Sequence, residues 1–446
     1  MTNSGAVRDN EPVTTVPAGR LRGTVNGTVA AFRGIPYAAS PVGALRFAPP
    51  RPHPRWDGER DASAAGPSVP QGPSRLASVM GPRVPDGDED GCLTVNVWTP
   101  LAALEAGAPA RPVLLWFHGG GFAGGSAGWD WYDGTRLAAL GDIVVVTANY
   151  RVGALGWLHL PKDGADNLGS RDQAAALRWV HETVGAFGGD PSRVTVGGQS
   201  AGAYSALALA VDPATAPLAH RVLAQSGPFG MPLCEPEKAE ATARELLDAL
   251  DCAGDVERLR AVPVGELLDA TARLTARTAR PGTAAPSFVP VRGGAGHPRT
   301  PLDAVRDGAL AGRPLLIGAT TDESTAFGLR DPAATERFNA AGDEIARLSA
   351  AQGAETYVYR FGRRPDPDPS ALGATHCADL PFLFGTFDAF AGAPMLGAVT
   401  AADRALSASF AGSVAAFVNG RAPWPACGPD GRRVHAFGLT AAHGAG

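Results

Sequence analysis

A serine at position 200 stands in a segment whose glycines and flanking residues suit a nucleophile. Gly198, Ser200 and Gly202 satisfy the pattern G-x-S-x-G. The apolar run at residues 194–196 predicts a strand before the motif, and the alanine- and leucine-rich residues 203–210 predict a helix after it. Strand, sharp turn and helix form the setting in which this pattern raises a serine hydroxyl above the edge of a parallel sheet. Ser200 is therefore the candidate nucleophile.

A second segment offers groups that bind negative charge. A strand-like run at residues 113–117 is followed by His118, Gly119, Gly120 and Gly121. A glycine run after a strand can present several backbone N–H groups to an oxygen that gains charge during a reaction. A serine nucleophile and such a loop on one chain indicate acyl transfer.

Two further glycine patterns compete with these interpretations, because 57 of the 446 residues are glycine. Residues 124–128 also match G-x-S-x-G, but Ser126 follows glycines rather than a strand, which disfavours it as the nucleophile. Residues 119–124 match G-x-G-x-x-G, but no helix is predicted after them, and Asp142 precedes the next strand instead of ending it. A dinucleotide site needs both features, so we expect no nucleotide cofactor.

Composition argues against several classes of protein. The net charge is −5 with both signs dispersed along the chain, so no basic patch indicates nucleic acid binding. The first twenty residues lack an apolar core, and no run approaches the roughly 18 apolar residues of a membrane span. Five cysteines without C-x-x-C spacing indicate neither a metal site nor a disulfide framework. We expect a cytoplasmic protein with no metal, cofactor, nucleic acid or membrane partner.

Strand-like and helix-like segments alternate along the chain and must position the candidate residues. Apolar runs predict strands at residues 93–98, 113–117, 143–148, 194–196, 315–317 and 356–361. Several are continuous β-branched runs, which is typical of strands buried on both faces of a sheet. Helical spacing of apolar residues predicts helices at residues 172–184 and 238–250.

This alternation predicts an α/β protein with a mostly parallel central sheet and helices on both faces. Residues 62–88 are rich in Gly, Pro and Ser and predict a long loop. No stretch has the composition of an interdomain linker, so we expect a single domain over residues 1–446.

Eight blocks of sequence carry a family resemblance. They are FRGIPYA with LRF (residues 32–38 and 45–47), EDGCLTVNVW (89–98), HGGGF (118–122), NYRVGALG (149–156), DNLGSRDQ (166–173), FGGDP (187–191), GQSAG (198–202) and QSG (225–227). In these blocks and their order, the chain resembles the type-B carboxylesterases, the cholinesterase-like and para-nitrobenzyl esterase-like branch of the α/β-hydrolases. The resemblance implies the α/β-hydrolase fold and hydrolysis of small-molecule carboxylic esters through an acyl-enzyme.

The remaining catalytic residues are sought after the serine, because α/β-hydrolases follow the chain order serine, acid, histidine. Asp322 and Glu323 come just after a predicted strand, and spacing alone does not choose between them. Three histidines follow these acids, namely His376, His435 and His443. His443 is close to the C-terminus, and His435 lies in a strand-like segment where a surface position is expected. The resemblance selects Glu323 as the acid and His376, in the block ATHCADLPF, as the base.

The resemblance also implies the roles of these groups. His376 takes the proton of the serine and returns it to the leaving alcohol, while Glu323 fixes the imidazole tautomer. Activity should therefore fall on the acid side, as an imidazole with an ordinary pKa of about 6.5 becomes protonated. Backbone N–H groups would form the oxyanion hole, contributed by Gly120, Gly121 and Ala201. Ser226 matches a buried serine beside the acid, although an ordinary core serine fits equally.

Two features depart from the family pattern. Gln199 stands where many members have Glu directly before the nucleophile, which removes a negative charge near the imidazole. The two family disulfides would involve Cys92 and Cys252, but neither has a cysteine at the partner position. Their absence favours a reducing compartment.

The segment between acid and base predicts the shape of the pocket. Glu323 and His376 are 53 positions apart, fewer than in most family members, and within that segment residues 333–351 have helical character. A shortened helical cap predicts a wide, shallow entrance and a broad ester specificity. Four aromatic side chains are expected to line it, namely Trp129, Trp131, Phe382 and Phe384. Two alternatives stay open, a non-catalytic binding protein on the same fold and an acyltransferase; the oligomeric state is not indicated.

Overall fold

The computed structural model describes residues 11–83, 86–278, 287–428 and 433–439. The strands are β1 (Val13–Val16), β2 (Gly19–Arg22), β3 (Thr24–Asn26), β4 (Val29–Pro36), β5 (Glu59–Asp61), β6 (Thr94–Pro100), β7 (Arg111–Phe117), β8 (Val144–Ala148), β9 (Gly189–Gln199), β10 (Arg221–Gln225), β11 (Leu315–Thr320), β12 (Thr356–Phe361) and β13 (Val434–Phe437).

The helices are α1 (Ala77–Met80), α2 (Thr135–Gly141), α3 (Gly153–Trp157), α4 (Leu168–Thr183), α5 (Ala201–Val211), α6 (Pro236–Ala249), α7 (Val256–Ala261), α8 (Val264–Thr278), α9 (Pro301–Arg306), α10 (Pro332–Ala351), α11 (Leu380–Phe384) and α12 (Ala401–Val418). None of these helices, within the described residues, is long and apolar enough to cross a membrane.

One large sheet organises the molecule. In the described residues it has ten strands in the order β13-β12-β11-β10-β9-β7-β8-β6-β4-β3, and β1, β2 and β5 form a separate small sheet. Neighbouring strands are parallel from β8 to β13, and β6, β4 and β3 continue the sheet in antiparallel pairing. The predicted mostly parallel sheet is confirmed.

Helices cover both faces of this sheet. Alternate side chains of β7 enter two different cores: Val113 and Leu115 pack on the side of α4 and α5, whereas Leu114 and Trp116 pack on the side of α2 and α12. A strand buried on both faces has no polar face to show, which explains the continuous apolar runs in the sequence. This layered arrangement is the α/β-hydrolase fold.

The predicted elements differ from the observed ones mainly at their ends. Strand β9 begins at Gly189, well before the predicted run at 194. The sequence did not indicate its first half because polar residues stand there, namely Asp190, Ser192 and Arg193. Strand β10 was not predicted; its apolar run at residues 222–224 lies between the polar residues Arg221 and Gln225. The expected long loop at residues 62–88 contains the short helix α1.

The predicted cap helix is present as α10. It begins with Pro332 in its first turn, and the Asp331 side chain accepts a hydrogen bond from Ala333 N–H at the N-cap. Between Glu323 and His376, all of it described, the chain forms a 3₁₀ turn, α10 and β12. One α-helix, α10, therefore lies between the predicted acid and base, as expected from the sequence.

The carboxyl ends of the central strands meet at one edge of the sheet. Strands β7, β9, β10 and β11 end there at Phe117, Gln199, Gln225 and Thr320. In open α/β sheets this edge is where ligands bind. All predicted site residues follow these strand ends or lie in the loop before α11.

Candidate active site

Ser200 occupies a sharp turn between β9 and α5. Its backbone dihedral angles are φ +57° and ψ −124°, a conformation that costs a non-glycine residue free energy. Its N–H donates to the carbonyl of Gln225 on β10 (2.8 Å), and its carbonyl accepts from Tyr204 N–H in the first turn of α5 (3.1 Å). Both neighbours fix the turn, so the serine side chain stands at the carboxyl edge of the sheet.

The two glycines of the motif allow this turn because backbone segments approach each other closely. A Cβ on Gly202 would lie 2.0 Å from the carbonyl oxygen of Phe117, at the end of β7. A Cβ on Gly198 would lie 2.4 Å from the carbonyl carbon of Gly202. Neither position has room for a side chain, so G-x-S-x-G here reflects the contact of strand with helix.

The predicted acid and base form a buried hydrogen-bonded pair. Glu323 begins the turn after β11, and its Oε2 bonds to Nδ1 of His376 in the loop before α11. The acid is 0% exposed and the histidine 1% exposed. Oε1 of Glu323 accepts from Thr320 N–H at 2.8 Å, so both carboxylate oxygens are engaged. With its proton on Nδ1, the imidazole presents an unprotonated Nε2, as a general base requires.

The alternatives for acid and base lie elsewhere. Asp322 turns away from His376 and accepts from Ala374 N–H at 2.9 Å and from Arg364. His435 stacks on the ring of Trp424 at 4.6 Å, far along the sheet on β13. His443 lies outside the described residues.

The charges of this pair support each other. Burial alone would raise the pKa of Glu323, but the attraction of His376 and its hydrogen bond hold that pKa below the ordinary value. Burial lowers the pKa of His376, but Cys377 and Glu323 outweigh it, and the pKa lies well above 6.5. The ordinary imidazole pKa of about 6.5 does not include the buried carboxylate and thiol, so the acid limb of activity is expected at a higher pH than an isolated imidazole would give.

Nε2 of His376 contacts Gln199, which the sequence analysis noted only because it lacks the charge of a glutamate. The amide nitrogen of Gln199 lies 3.2 Å from Nε2 of His376 and 3.2 Å from Sγ of Cys377. The rings of Phe327 and Phe338 lie against the imidazole at 5.3 and 5.6 Å between centroids. Phe338 belongs to α10, so the short cap helix reaches the base.

Three of the four expected pocket aromatics lie elsewhere, and this part of the prediction was wrong. Trp131 is buried in the core on the α2 and α12 side, where it stacks on Phe390. Phe382 and Phe384 are buried in the core on the α2 and α12 side, where Phe384 packs edge-on to Trp116. Their position at α11, directly after the histidine loop, suggested the site, but the helix turns them into the core. Phe327 and Phe338, which are half-buried beside His376, were missed because they lie far from it in sequence.

The glycine loop lies beside the serine turn. A Cβ on Gly119 would lie 3.0 Å from the Cβ of Ser200, so the loop passes directly against the nucleophile residue. Gly120 has φ +118°, and a Cβ there would lie 2.1 Å from the carbonyl oxygen of Gly124. Gly121 follows with φ +62° and has open space around it. Ala201 begins α5 on the other side of the serine, where the helix N-terminus adds favourable N–H groups.

Side chains below the loop hold it in place. The ring of His118 stacks on Tyr150 at 4.4 Å, and the Tyr150 hydroxyl donates to the carbonyl of His118 at 2.7 Å. Burial lowers the pKa of His118 to about 4, so its imidazole is neutral near pH 7. This histidine is a structural support of the loop.

The competing glycine patterns have structural roles. Ser126 is buried, and its Oγ contacts Oδ1 of Asn149 at 3.3 Å and accepts from Gly128 N–H at 3.2 Å. Residues 118–129 form turns without a helix, which removes the helix N-terminus that a dinucleotide would need. Within the described residues, no cluster of three or more His, Cys, Asp or Glu could hold a metal ion.

A second buried carboxylate, Asp379, interacts with Glu323 and His376 through charge and was missed from the sequence. Oδ2 of Asp379 accepts from the Tyr359 hydroxyl at 2.8 Å and from Nε2 of Gln225 at 3.2 Å. Burial is the main cause that raises the pKa of Asp379 to about 6. Ser226, also buried, follows β10 directly with φ +51°.

Two ion pairs join residues of the sequence blocks that carry the resemblance. Arg46 bonds Glu89 at 2.7 Å, and Arg151 forms two 2.7 Å bonds with the carboxylate of Asp172. The five cysteines are all free, as the missing disulfide partners indicated.

Comparison with known proteins gives the same result as the fold. Residues 10–348 match the family model described as the carboxylesterase family. The phenmedipham hydrolase of Pseudarthrobacter oxydans is 36% identical over 429 residues, covering 86% of this chain and 85% of that protein. The probable N-octanoylanthranilate hydrolase of Rhodococcus erythropolis is 39% identical over 414 residues, covering 86% and 87%.

A solved structure agrees over a still larger share of the chain. A PNB esterase superimposes with a TM-score of 0.84 at 32% identity, and the match covers 95% of each chain. The family model, the relatives and the solved structure thus indicate the same family as the sequence blocks. The chain belongs to the carboxylesterase family of α/β-hydrolases and is a carboxylic ester hydrolase.

Proposed function

We propose that the ester is cleaved by a triad of Ser200, His376 and Glu323 through an acyl-enzyme. The Oγ of Ser200 attacks the ester carbonyl while Nε2 of His376 takes its proton, and the carboxylate of Glu323 stabilises the imidazolium. The carbonyl oxygen becomes an oxyanion that accepts hydrogen bonds from the N–H groups of Gly120, Gly121 and Ala201.

The leaving alcohol departs with the proton from Nε2. Water then attacks the acyl-serine, His376 again takes and returns a proton, and the carboxylic acid is released. The observation that carries this proposal is the buried bond between Glu323 and His376 at the sheet edge where the strained Ser200 turn lies.

We infer a broad specificity for small-molecule esters. The imidazole is contacted by two half-buried aromatic rings, Phe327 in the turn after Glu323 and Phe338 on α10, which is the one α-helix between the acid and the base. A pocket bounded by few fixed walls separates substrates weakly, because each methylene contributes only about 1–3 kcal/mol even in a closed one. Bulky aryl and benzyl esters should therefore be accepted along with short acyl chains.

Labelling with a fluorophosphonate, followed by peptide mapping, tests the nucleophile. We expect the label on Ser200; a label on Ser126 would reject the assignment. Hydrolysis of a graded series of chromogenic esters tests the breadth, and rejection of bulky esters by more than about a hundredfold would contradict it.

The same series separates the alternatives. Adding a competing alcohol or amine reveals acyl transfer, and a protein that neither labels nor turns over any ester would be a binding protein. N-octanoylanthranilate belongs in the panel because a relative is named for its hydrolysis.

We further propose that the chain is one domain, since a single sheet takes strands from residues 24–26 to residues 434–437. A cytoplasmic location is supported by the five free cysteines, four of which are buried thiols.

A further inference from the structure

Gln199 is the residue that faces the base on the side opposite Glu323. It ends β9, directly before Ser200, and its side chain is 1% exposed. Its amide nitrogen lies 3.2 Å from Nε2 of His376 and 3.2 Å from Sγ of Cys377. Its amide oxygen lies on the side of Gly119, 2.7 Å from where a Cβ on that glycine would be. One side chain thus connects the base, a buried thiol and the glycine loop.

The chemistry of the amide determines what this contact does. An amide NH₂ donates hydrogen bonds and accepts none. Its contact with Nε2 of His376 therefore requires an unprotonated Nε2, which is the form of the imidazole that takes the proton of Ser200. A donor to the neutral form favours that form over the imidazolium.

The contact must change once the base is protonated. Imidazolium Nε2–H and the amide N–H are both donors and no longer attract each other, whereas Sγ of Cys377 remains an acceptor at the same distance from the amide. Cys377 is 3% exposed, and its φ of +74° is unusual for a residue other than glycine.

We propose that Gln199 and Cys377 act together as positioning residues for His376. The Gln199 amide donates one hydrogen to Nε2 of the neutral base in the free enzyme and the other to Sγ of Cys377. When the Ser200 hydroxyl takes the place of the amide at Nε2 and the base is then protonated, the bond to Sγ keeps the amide in position. The inference rests on the proposed triad.

Other groups around the imidazole set the background for its titration. Glu323 bonds Nδ1, and Asp379 interacts with His376 through charge. Phe327 and Phe338 bring no charge. Cys377 raises the pKa of His376, in the direction expected if it supports the imidazolium.

The acid limb of kcat/KM against pH tests the proposal, because it reports the ionisation of the base in the free enzyme. Gln199→Met keeps the shape and removes the donor to the neutral base, so the limb should move to higher pH by about 0.5–1 unit. Gln199→Glu adds a carboxylate and should move it further in the same direction. Cys377→Ala removes the acceptor that remains for the amide once the base is protonated, so the limb should move to lower pH by about 0.5 unit, and Cys377→Ser should restore it.

Cys427→Ala is the matched control for the cysteine changes, since that thiol is also buried but lies beside the N-terminus of β12. Its profile should match that of the wild type. The low-field proton resonance of Nδ1–H on His376 gives the same ionisation without any assay of turnover, and active sites are counted by fluorophosphonate in each variant.

A purely structural role for Gln199 and Cys377 would leave the acid limb and the resonance of the variants unmoved, which overturns the inference. A shift of Gln199→Met to lower pH would also overturn it, because the amide oxygen would then face the base. Failure of fluorophosphonate to label Ser200 in the wild type would instead reject the proposed triad itself.

Discussion

The serine turn and the pocket around the base are built in different ways. The turn at residues 198–202 is continuous in sequence, and its shape follows from two glycines pressed against the end of β7. The pocket around His376 draws Gln199 from 177 positions away, Glu323 from 53 positions away, and Phe338 from the cap helix α10. A locally encoded nucleophile is therefore combined with a base whose properties are set by distant segments.

Because the two regions are built differently, substitutions in the serine turn and substitutions around His376 should have different effects on activity. Changes in the serine turn should act on the reaction itself or on the packing of strand and helix. Changes around His376 should alter the pH range in which the base is unprotonated, and so change the pH dependence of activity.

Ser200→Ala should give the largest effect. Removing the nucleophile of a triad should lower kcat by about 10⁶-fold, with only residual catalysis from the oxyanion hole and substrate binding. Ester hydrolysis and circular dichroism measure activity and folding together. Ser126→Ala is the control, because that hydroxyl contacts Asn149 in the loop scaffold and its loss should leave activity in place. Comparable losses in both variants would refute the choice of nucleophile.

Glu323→Gln should lower kcat by about 10⁴-fold, because the imidazole loses the partner that fixes its tautomer and stabilises its charged form. The carboxylate raises the pKa of His376, so the residual activity should show its acid limb at lower pH than the wild type. The sign follows because a less stable imidazolium forms only in more acidic solution. Asp322→Asn is the neighbouring control, since Asp322 bonds Ala374 and Arg364 instead. A larger loss in that control would exchange the roles of the two acids.

Asp379→Asn should change stability with pH rather than the reaction. The pKa of Asp379 is raised from 3.8 to about 6, so the unfolded chain ionises first and the free energy of unfolding falls between these values. The full cost is about 3 kcal/mol above pH 6, and it is absent below about pH 4. Asparagine keeps an acceptor for Tyr359 but cannot ionise. Urea unfolding at pH 4.5 and 7.5 should show the variant gaining stability relative to the wild type at the higher pH; a constant difference would show that Asp379 is not the cause.

The sequence predicted most of the serine turn and only part of the base pocket, for physical reasons visible in individual residues. Gly198 and Gly202 mark a close backbone contact that leaves a fixed spacing in the chain. Asp379 and Phe338 leave none, because the first is placed by Tyr359 on β12 and the second by the docking of α10. Phe382 was wrongly predicted for the opposite reason. It is close to His376 in sequence, but it is buried in the core and does not line the site. Strand β10, which supplies the carbonyl that holds Ser200, was not predicted, because its apolar run lies between the polar residues Arg221 and Gln225.

Gly202→Ala should give the smallest of these effects and tests the packing of the turn directly. Alanine favours a helix over glycine by roughly 0.5–1 kcal/mol, so propensity alone would stabilise α5. The new Cβ would lie 2.0 Å from the Phe117 carbonyl oxygen, and relieving that overlap should cost about 1–3 kcal/mol and shift Ser200 from its position.

Gly412→Ala in α12 is the matched control, because it is also helical and a Cβ there meets nothing within 4 Å. Thermal unfolding should therefore show a lower Tm for Gly202→Ala and a higher Tm for Gly412→Ala. Ester hydrolysis should fall in the first variant and stay constant in the second. Equal stabilisation of both proteins would mean that β7 and α5 have room to separate, and the serine turn would then owe its shape to something other than the contact of its glycines.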